Sequence, residues 1–312
     1  MKIFDLHADI GYDVMQKRRA GHKGDILTKF HVDKFKAGEI AYVGMASYFE
    51  GHEDWEYMQT MVRSLREEIM ACQDIDLVLN KEDLLCDNGH IKAVLTIEGM
   101  CGIREEPEEK IDWLYEQGIR IASLCWNEEN ALATGAQGNP KHGLTALGAR
   151  AIKRMMEHSM IIDISHSNEE TFWDIMEECE VKVIATHSNV RNLCDHPRNL
   201  WIPQLHAVKE HKGIIGAVSA PGFVARDQKK QDLDHLVNHI RFLCDELGVE
   251  HVGLGFDFMD YYEEHDYGYT KGLKDCTTAQ LLIDKMRERG FTEKQIERIA
   301  YGNAVDLMCN IL

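Results

Sequence analysis

MIIDISHSNEETFWDIMEECEVKVIATHS, residues 160–188, reads as a complete strand–helix–strand unit. The runs 160–165 and 181–186 are rich in Ile and Val and nearly continuous in apolar character. Strands buried on both faces of a parallel sheet look like this, because helices cover both sides. Between them, 169–179 carries helical period. Ser167-Asn168 followed by Glu169-Glu170 places a capping residue and two acids where a helix N-terminus favours them. Each apolar run stops at a histidine, His166 and His187.

The same unit repeats in both directions. Strands are expected at 3–8, 40–48, 91–97, 119–125, 160–165, 181–186, 213–219 and 250–256. Helical periods fill 53–73, 108–117, 143–158, 169–179, 203–211, 232–247, 276–289 and 292–308. Trp55, Met58, Val62, Leu65 and Ile69 form one core-facing stripe on the first of these. Gly118 stops a helix, Thr145 starts one, and Thr292 with Gln295 has the spacing of a capping box. Eight strands in this alternation predict an α/β fold, a (β/α)8 TIM-like barrel occupying 1–312 as a single domain. An open doubly wound sheet is the weaker reading, since no G-x-G-x-x-G follows the first strand. Residues 11–38 and 260–275 read as long irregular stretches, candidate lids or substrate walls.

Composition narrows the classes. With 53 acidic against 35 basic residues the chain carries a net charge of −18, which repels phosphate backbones and argues against a nucleic-acid partner. No apolar run approaches the roughly 18 residues a membrane span needs, and no secretory signal precedes the first strand. Nine cysteines, none in a C-x-x-C pair, with Cys72, Cys125, Cys179 and Cys244 inside helix or strand patterns, predict reduced thiols and a cytoplasmic address.

A barrel brings the carboxyl ends of all its strands to one rim. His7 and Asp9, Glu98, His166, His187 and Asp257 all lie at such ends. In strand geometry residues i and i+2 face one way, so His7 and Asp9 can reach one ion. Glu98 can share its two oxygens between two ions, and His166 and His187 complete the second with neutral imidazoles. Oxygen and nitrogen donors without thiolate suit two Zn²⁺, with Mn²⁺, Co²⁺ or Fe²⁺ as alternatives. Such a pair lowers the pKa of a shared water toward neutrality. Asp257, on the strand that neighbours the first in a closed barrel, is expected to be the general base and proton donor, with a further metal ligand or a helix cap as the plainer readings. Most other histidines, His239 among them, sit in helical, polar or loop contexts and are expected at the surface.

These residues, in this order, resemble the membrane (renal) dipeptidase family of binuclear zinc peptidases. The resemblance covers nearly the whole chain and rests on FDLHAD, IEG at 97–99, IDISHSN at 162–168, VIATHSNVRNLCDHPRN at 183–199, GLGFDF at 253–258 and a final YGNAVDL. It implies His7, Asp9 and Glu98 on one ion, Glu98, His166 and His187 on the other, and Asp257 for proton transfer. It also implies that Arg198, in HPRN, grips the substrate carboxylate, as a guanidinium can bidentately.

Two departures stand out. Where the family commonly has a histidine that steadies the oxyanion, this chain has Trp126 followed by Asn127, each able to donate a hydrogen bond or wall the pocket. Where the family often has D-F-D-G, this chain has Asp257-Phe258-Met259-Asp260. The function implied is hydrolysis of small dipeptides, including the L-Xaa-D-Yaa type, through hydroxide bridging two zincs, without a membrane partner and with homodimer formation in view. The alternative is an amidohydrolase acting on a cyclic amide or lactone; those more often open with H-x-H and use a carboxylated Lys, whereas Lys92 lies at the wrong end of its strand.

Overall fold

The computed structural model describes residues 1–178, 182–262 and 268–312. Its strands are β1 Ile3–Ala8, β2 Ile40–Tyr48, β3 Ile75–Leu77, β4 Ile91–Glu98, β5 Ile119–Ala122, β6 Ile161–Asp163, β7 Val183–Ile184, β8 Ile215–Ala217 and β9 Val252–Leu254. They pair in parallel in the order β7-β6-β5-β4-β2-β1-β9-β8. The two edges meet where Ala185 bridges Ile215, with Ala185 N–H donating to Ile214 O at 3.0 Å and Gly216 N–H to Ala185 O at 2.8 Å. Eight strands therefore form the expected (β/α)8 barrel.

All eight expected strands exist, several trimmed at their ends; position 181 lies outside the described residues. β3 is additional. It pairs with the first half of β4, whose second half pairs with β5. Three residues with an Asp in the middle leave no readable period.

The expectation of an irregular 11–38 is corrected. Ile10–Arg19 is a helix, and Thr28–Val32 and Asp33–Ala37 form further helical turns. The period was hidden because a core-facing position is charged: buried Asp13 pairs with His31 at 2.7 Å and Lys17 at 3.1 Å. Of 260–275, residues 263–267 lie outside the described residues, and Cys276–Thr278 opens the following helix as a short 3₁₀ turn.

The predicted caps form. Asn168 accepts from Thr171 N, Thr145 from Gly148 N, and Thr292 and Gln295 make a reciprocal capping box. The stripe on Trp55–Ala71 packs inward, except that Trp55 is only partly covered.

A compact cluster joins Phe4, Leu6, Val94, Ile121, Ile161, Ile184 and Ile214 to Ala304, Leu307 and Met308 of the helix Asn303–Cys309. Side chains from strands all around the ring meet only in the lumen, so the last helix plugs the barrel bottom. Polar chemistry is left to the opposite rim.

Candidate metal centre

β1 shifts register against β2 between Asp5 and Ala8, an irregularity of the kind that re-aims a side chain at a strand end. Buried Asp5 fixes the result: its Oδ1 accepts from His7 N at 3.2 Å and from Phe256 N at 2.9 Å, tying the ends of β1 and β9 together. Asp9 lies past the strand, at the start of the helix Ile10–Arg19. Its side chain still meets His7, with Nε2 to Oδ1 at 3.3 Å.

The predicted residues converge. Glu98 Oε1 lies 2.5 Å from His166 Nε2, 3.3 Å from His187 Nε2 and 3.6 Å from His7 Nε2. His166 and His187 bring their Nε2 atoms to 2.9 Å of each other, and Asp257 Oδ1 lies 3.9 Å from His7 Nε2. Donor atoms of His7, Glu98 and His187, and of His7, Asp9 and Asp257, form two groups each compact enough for one ion. His7 Nε2 and Asp9 Oδ1 are buried with no hydrogen-bond partner among the described residues.

Neighbours set the imidazole tautomers. Thr186 Oγ1 donates to Asp163 Oδ2 at 2.5 Å and lies 2.8 Å from His187 Nδ1. A carboxylate only accepts, so the hydroxyl proton goes to Asp163 and Nδ1 carries the ring proton, leaving the Nε2 lone pair facing the centre. Asp163 is held in turn by Ser165 N, Ser165 Oγ and Thr186 N. Asn127 Oδ1, 3.1 Å from His166 Nδ1, does the same for the other ring. Acceptors outside a ligand shell orient metal-binding imidazoles in this way. Sequence reading assigned Asn127 to substrate and missed Asp163 and Thr186; their signal was the polar residues inside IDISH and IATHS.

The electrostatics call for a cation. Burial, aided by Asp9 and Asp257, raises the Glu98 pKa well above its usual range. Burial also pushes Asp257 up to about 6. His7 is pulled down by burial, yet Glu98, Asp9 and Asp257 outweigh that and lift it to about 10. Burial keeps His166 and His187 far below 6.5 and therefore neutral, as ligands must be. Asp257 sits at φ 55°, a left-handed conformation that a β-substituted residue holds only when its surroundings impose it. Gly255 on the same turn, and Gly216 on β8, approach the Thr186 carbonyl so closely that a Cβ would lie 1.8 and 2.0 Å from it.

The centre opens into a cavity lined by Asp9, Tyr12, Tyr48, Glu50, Glu98, Trp126, Asn127, His166, Arg198, Phe223, Asp257, Met259 and Tyr262. Arg198 is 4% exposed, and its Nε and Nη1 have no partner among the described residues. Its Cζ stands 5.5 Å over the Phe223 ring. Burial draws its pKa down to about 10, so it stays charged near neutrality. Tyr261 and Tyr262, unremarked in sequence, clamp Asp9: Asp9 N–H donates to Tyr261 Oη at 2.7 Å, and Tyr262 O–H donates to Asp9 Oδ2 at 3.0 Å. His239 is also corrected: it is 1% exposed, between Val190 N and Val224 O, because the helix Leu233–Leu247 turns that face inward.

The model of the membrane dipeptidase family, peptidase family M19, matches residues 1–311. The chain belongs to that family. Among its relatives, an uncharacterized protein in the pqqA 5′ region of Klebsiella pneumoniae is 31% identical over 71% of this chain and 82% of its own length. An uncharacterized dipeptidase, C965.12, of Schizosaccharomyces pombe is 26% identical over 95% of this chain and 77% of its own. A metallopeptidase from Rhodobacter sphaeroides, solved with a phosphinate mimic of the dipeptide L-Ala-D-Ala, shares the fold at TM-score 0.86 and 22% identity, covering 99% of this chain and 98% of its own. Membership of the M19 family makes the chain a hydrolase of the dipeptidase class. No helix among the described residues is long and apolar enough to cross a membrane.

Proposed function

We propose that the protein is a binuclear zinc dipeptidase, with His7, Asp9 and Glu98 holding one ion and Glu98, His166 and His187 the other. The observation that carries this reading is the convergence of three Nε2 atoms on one Glu98 oxygen, at 2.5, 3.3 and 3.6 Å, beside buried and unpartnered donors of His7 and Asp9. Mutually facing lone pairs and acids of this kind are the donor set that a divalent cation satisfies. Bound there, zinc would polarise the scissile carbonyl and bring a water's pKa toward neutrality.

The chain's own groups supply the rest. Arg198 offers Nε–H and Nη1–H to the C-terminal carboxylate and orients the dipeptide. Asp257 accepts a proton from the attacking water at Oδ1 and returns it to the amide nitrogen as the C–N bond breaks, so two amino acids leave. Its place at the edge of the centre, with Oδ1 3.9 Å from His7 Nε2, puts it within reach of both the water and the leaving nitrogen. Asn127 keeps His166 in register. Substrates are L,L dipeptides and the L-Xaa-D-Yaa type, the class mimicked in the Rhodobacter sphaeroides complex.

The test is hydrolysis of matched L,L and L,D dipeptides by metal-depleted protein, with and without added Zn²⁺. Zinc-restored cleavage is expected, with one member of each pair favoured. Protein that binds two zincs and cleaves no dipeptide would shift the reading to another amide.

A further inference from the structure

Building on the dipeptidase reading, we propose that Glu50, with the rings of Tyr12, Tyr48 and Trp126, forms a subsite for the substrate's free N-terminal ammonium. A dipeptide is a zwitterion. Its carboxylate has Arg198, and its ammonium needs an anion elsewhere in the same cavity. Four carboxylates line that cavity: Asp9, Glu50, Glu98 and Asp257. Three of them face His7 and are committed to the metal centre. Glu50 is exposed, and its carboxylate makes no hydrogen bond or ion pair among the described residues.

Its backbone is nonetheless fixed. The Glu53 carboxylate takes Glu50 N–H at 3.2 Å on one oxygen, and Gly51 N–H at 3.1 Å and His52 N–H at 3.2 Å on the other. The turn thus presents an unpaired charge from a rigid base, a low-entropy way to bind.

Aromatic rings complete the surroundings. Tyr262 and Tyr12 stack at 4.5 Å, Tyr12 meets Tyr48 at 6.2 Å, and Tyr48 meets Trp126 edge-on at 5.2 Å, all four rings lining the cavity. Ring faces beside a carboxylate are the surroundings in which an ammonium gains cation–π attraction, with Trp the strongest partner. Trp126, the residue that departs from the family pattern, gains a role here.

Location separates this end from the carboxylate end. Tyr12, Tyr48 and Glu50 also line an adjoining polar cavity that includes Gln16, Arg19 and Tyr57. Phe223, beside Arg198, together with Asp257 and Met259 lines a different neighbouring cavity. The two side chambers share no residue, so Glu50 borders one and Phe223, the ring beside Arg198, borders the other.

The test uses the ketomethylene isostere of Ala-Ala, which cannot be cleaved, and the same compound lacking its amino group. Both are titrated calorimetrically into zinc-loaded wild-type, Glu50→Gln and Trp126→Leu proteins, and Ala-Ala turnover is followed in parallel. The amino group is expected to tighten binding to the wild type by about tenfold, in line with one ion pair plus cation–π contacts. In Glu50→Gln the gap should fall below about threefold, and in Trp126→Leu to an intermediate value, while the deamino compound binds all three proteins alike. Equal binding of the two compounds to the wild type would overturn the subsite. So would a full gap retained in Glu50→Gln. An intact gap without Ala-Ala turnover would instead count against the dipeptidase reading and leave the ammonium subsite standing.

Discussion

Thr186 shows how one hydroxyl can decide the chemistry of a ligand. Because it donates to Asp163, it can only accept from His187, and the imidazole lone pair is aimed inward without any contact to substrate. Thr186→Val keeps the shape and removes that acceptor. Zinc affinity at one of the two sites is expected to fall roughly 10–100-fold, measured by competition with a chromogenic chelator, and Thr186→Ser is expected to restore it. Unchanged affinity in the Val variant would mean that Asp163 and Thr186 only pack. Arg198 gives a complementary case, since its two free N–H groups have no structural duty among the described residues. Arg198→Ala should raise KM for free dipeptides about 10–100-fold, the worth of a charge-assisted pair, with little effect on C-terminal amides. Equal losses on both substrates would remove the carboxylate role. The residues that converge at the candidate centre were legible in sequence because each lies at the end of an apolar run. Thr186, Asp163 and Tyr261 were not, because nothing in a Thr, Asp or Tyr says which neighbour the fold will place beside it.

At the scale of elements, the barrel's lower rim carries its own electrostatic tie. Lys92 on β4 is 3% exposed and donates to Asp76 of β3 at 2.6 Å and to Asn88 at 2.9 Å. Burial works to raise the Asp76 pKa, but the bonds from Lys92, His90 and Asn88 outweigh it and lower the value to about 2. A carboxyl depressed in the folded state stabilises above its unfolded pKa of about 3.9, and that contribution is lost as pH falls toward 2. Asp76→Asn is therefore expected to cost about 1–2 kcal/mol near pH 7, measured by urea unfolding, and the gap to the wild type should shrink steadily below about pH 4. A gap independent of pH would mean that shape, not charge, joins β3 to β4. The same pairing explains why β3 escaped a reading by period: its middle residue serves Lys92 and leaves no apolar alternation. The helix Ile10–Arg19 escaped for a related reason, with Asp13 buried against His31.

For the whole molecule, the rim gathers Glu98, Asp9 and Asp257 in a buried space beside His7 and Arg198. A metal that binds the folded state alone stabilises it by mass action, by about 2.7 kcal/mol at a free concentration one hundred times its Kd. Zinc at that level should raise Tm by several degrees over chelator-treated protein, and the rise should be largely absent in Glu98→Gln. An equal rise in both proteins would mean that the ion binds elsewhere. By itself the sequence determined the barrel, its strand order in the chain, the helix caps, the residues that meet at the rim and the family, because alternation of buried strands and helices and a polar residue at a strand end are local patterns. The tertiary structure alone decided that β7 meets β8 through Ala185, that the last helix plugs the lumen, that Asp163 and Thr186 set the His187 tautomer, and that Glu50 stands in the cavity without a side-chain partner among the described residues. Those facts depend on which residues, far apart in the chain, come within hydrogen-bonding reach, and that distance is set only when the barrel closes.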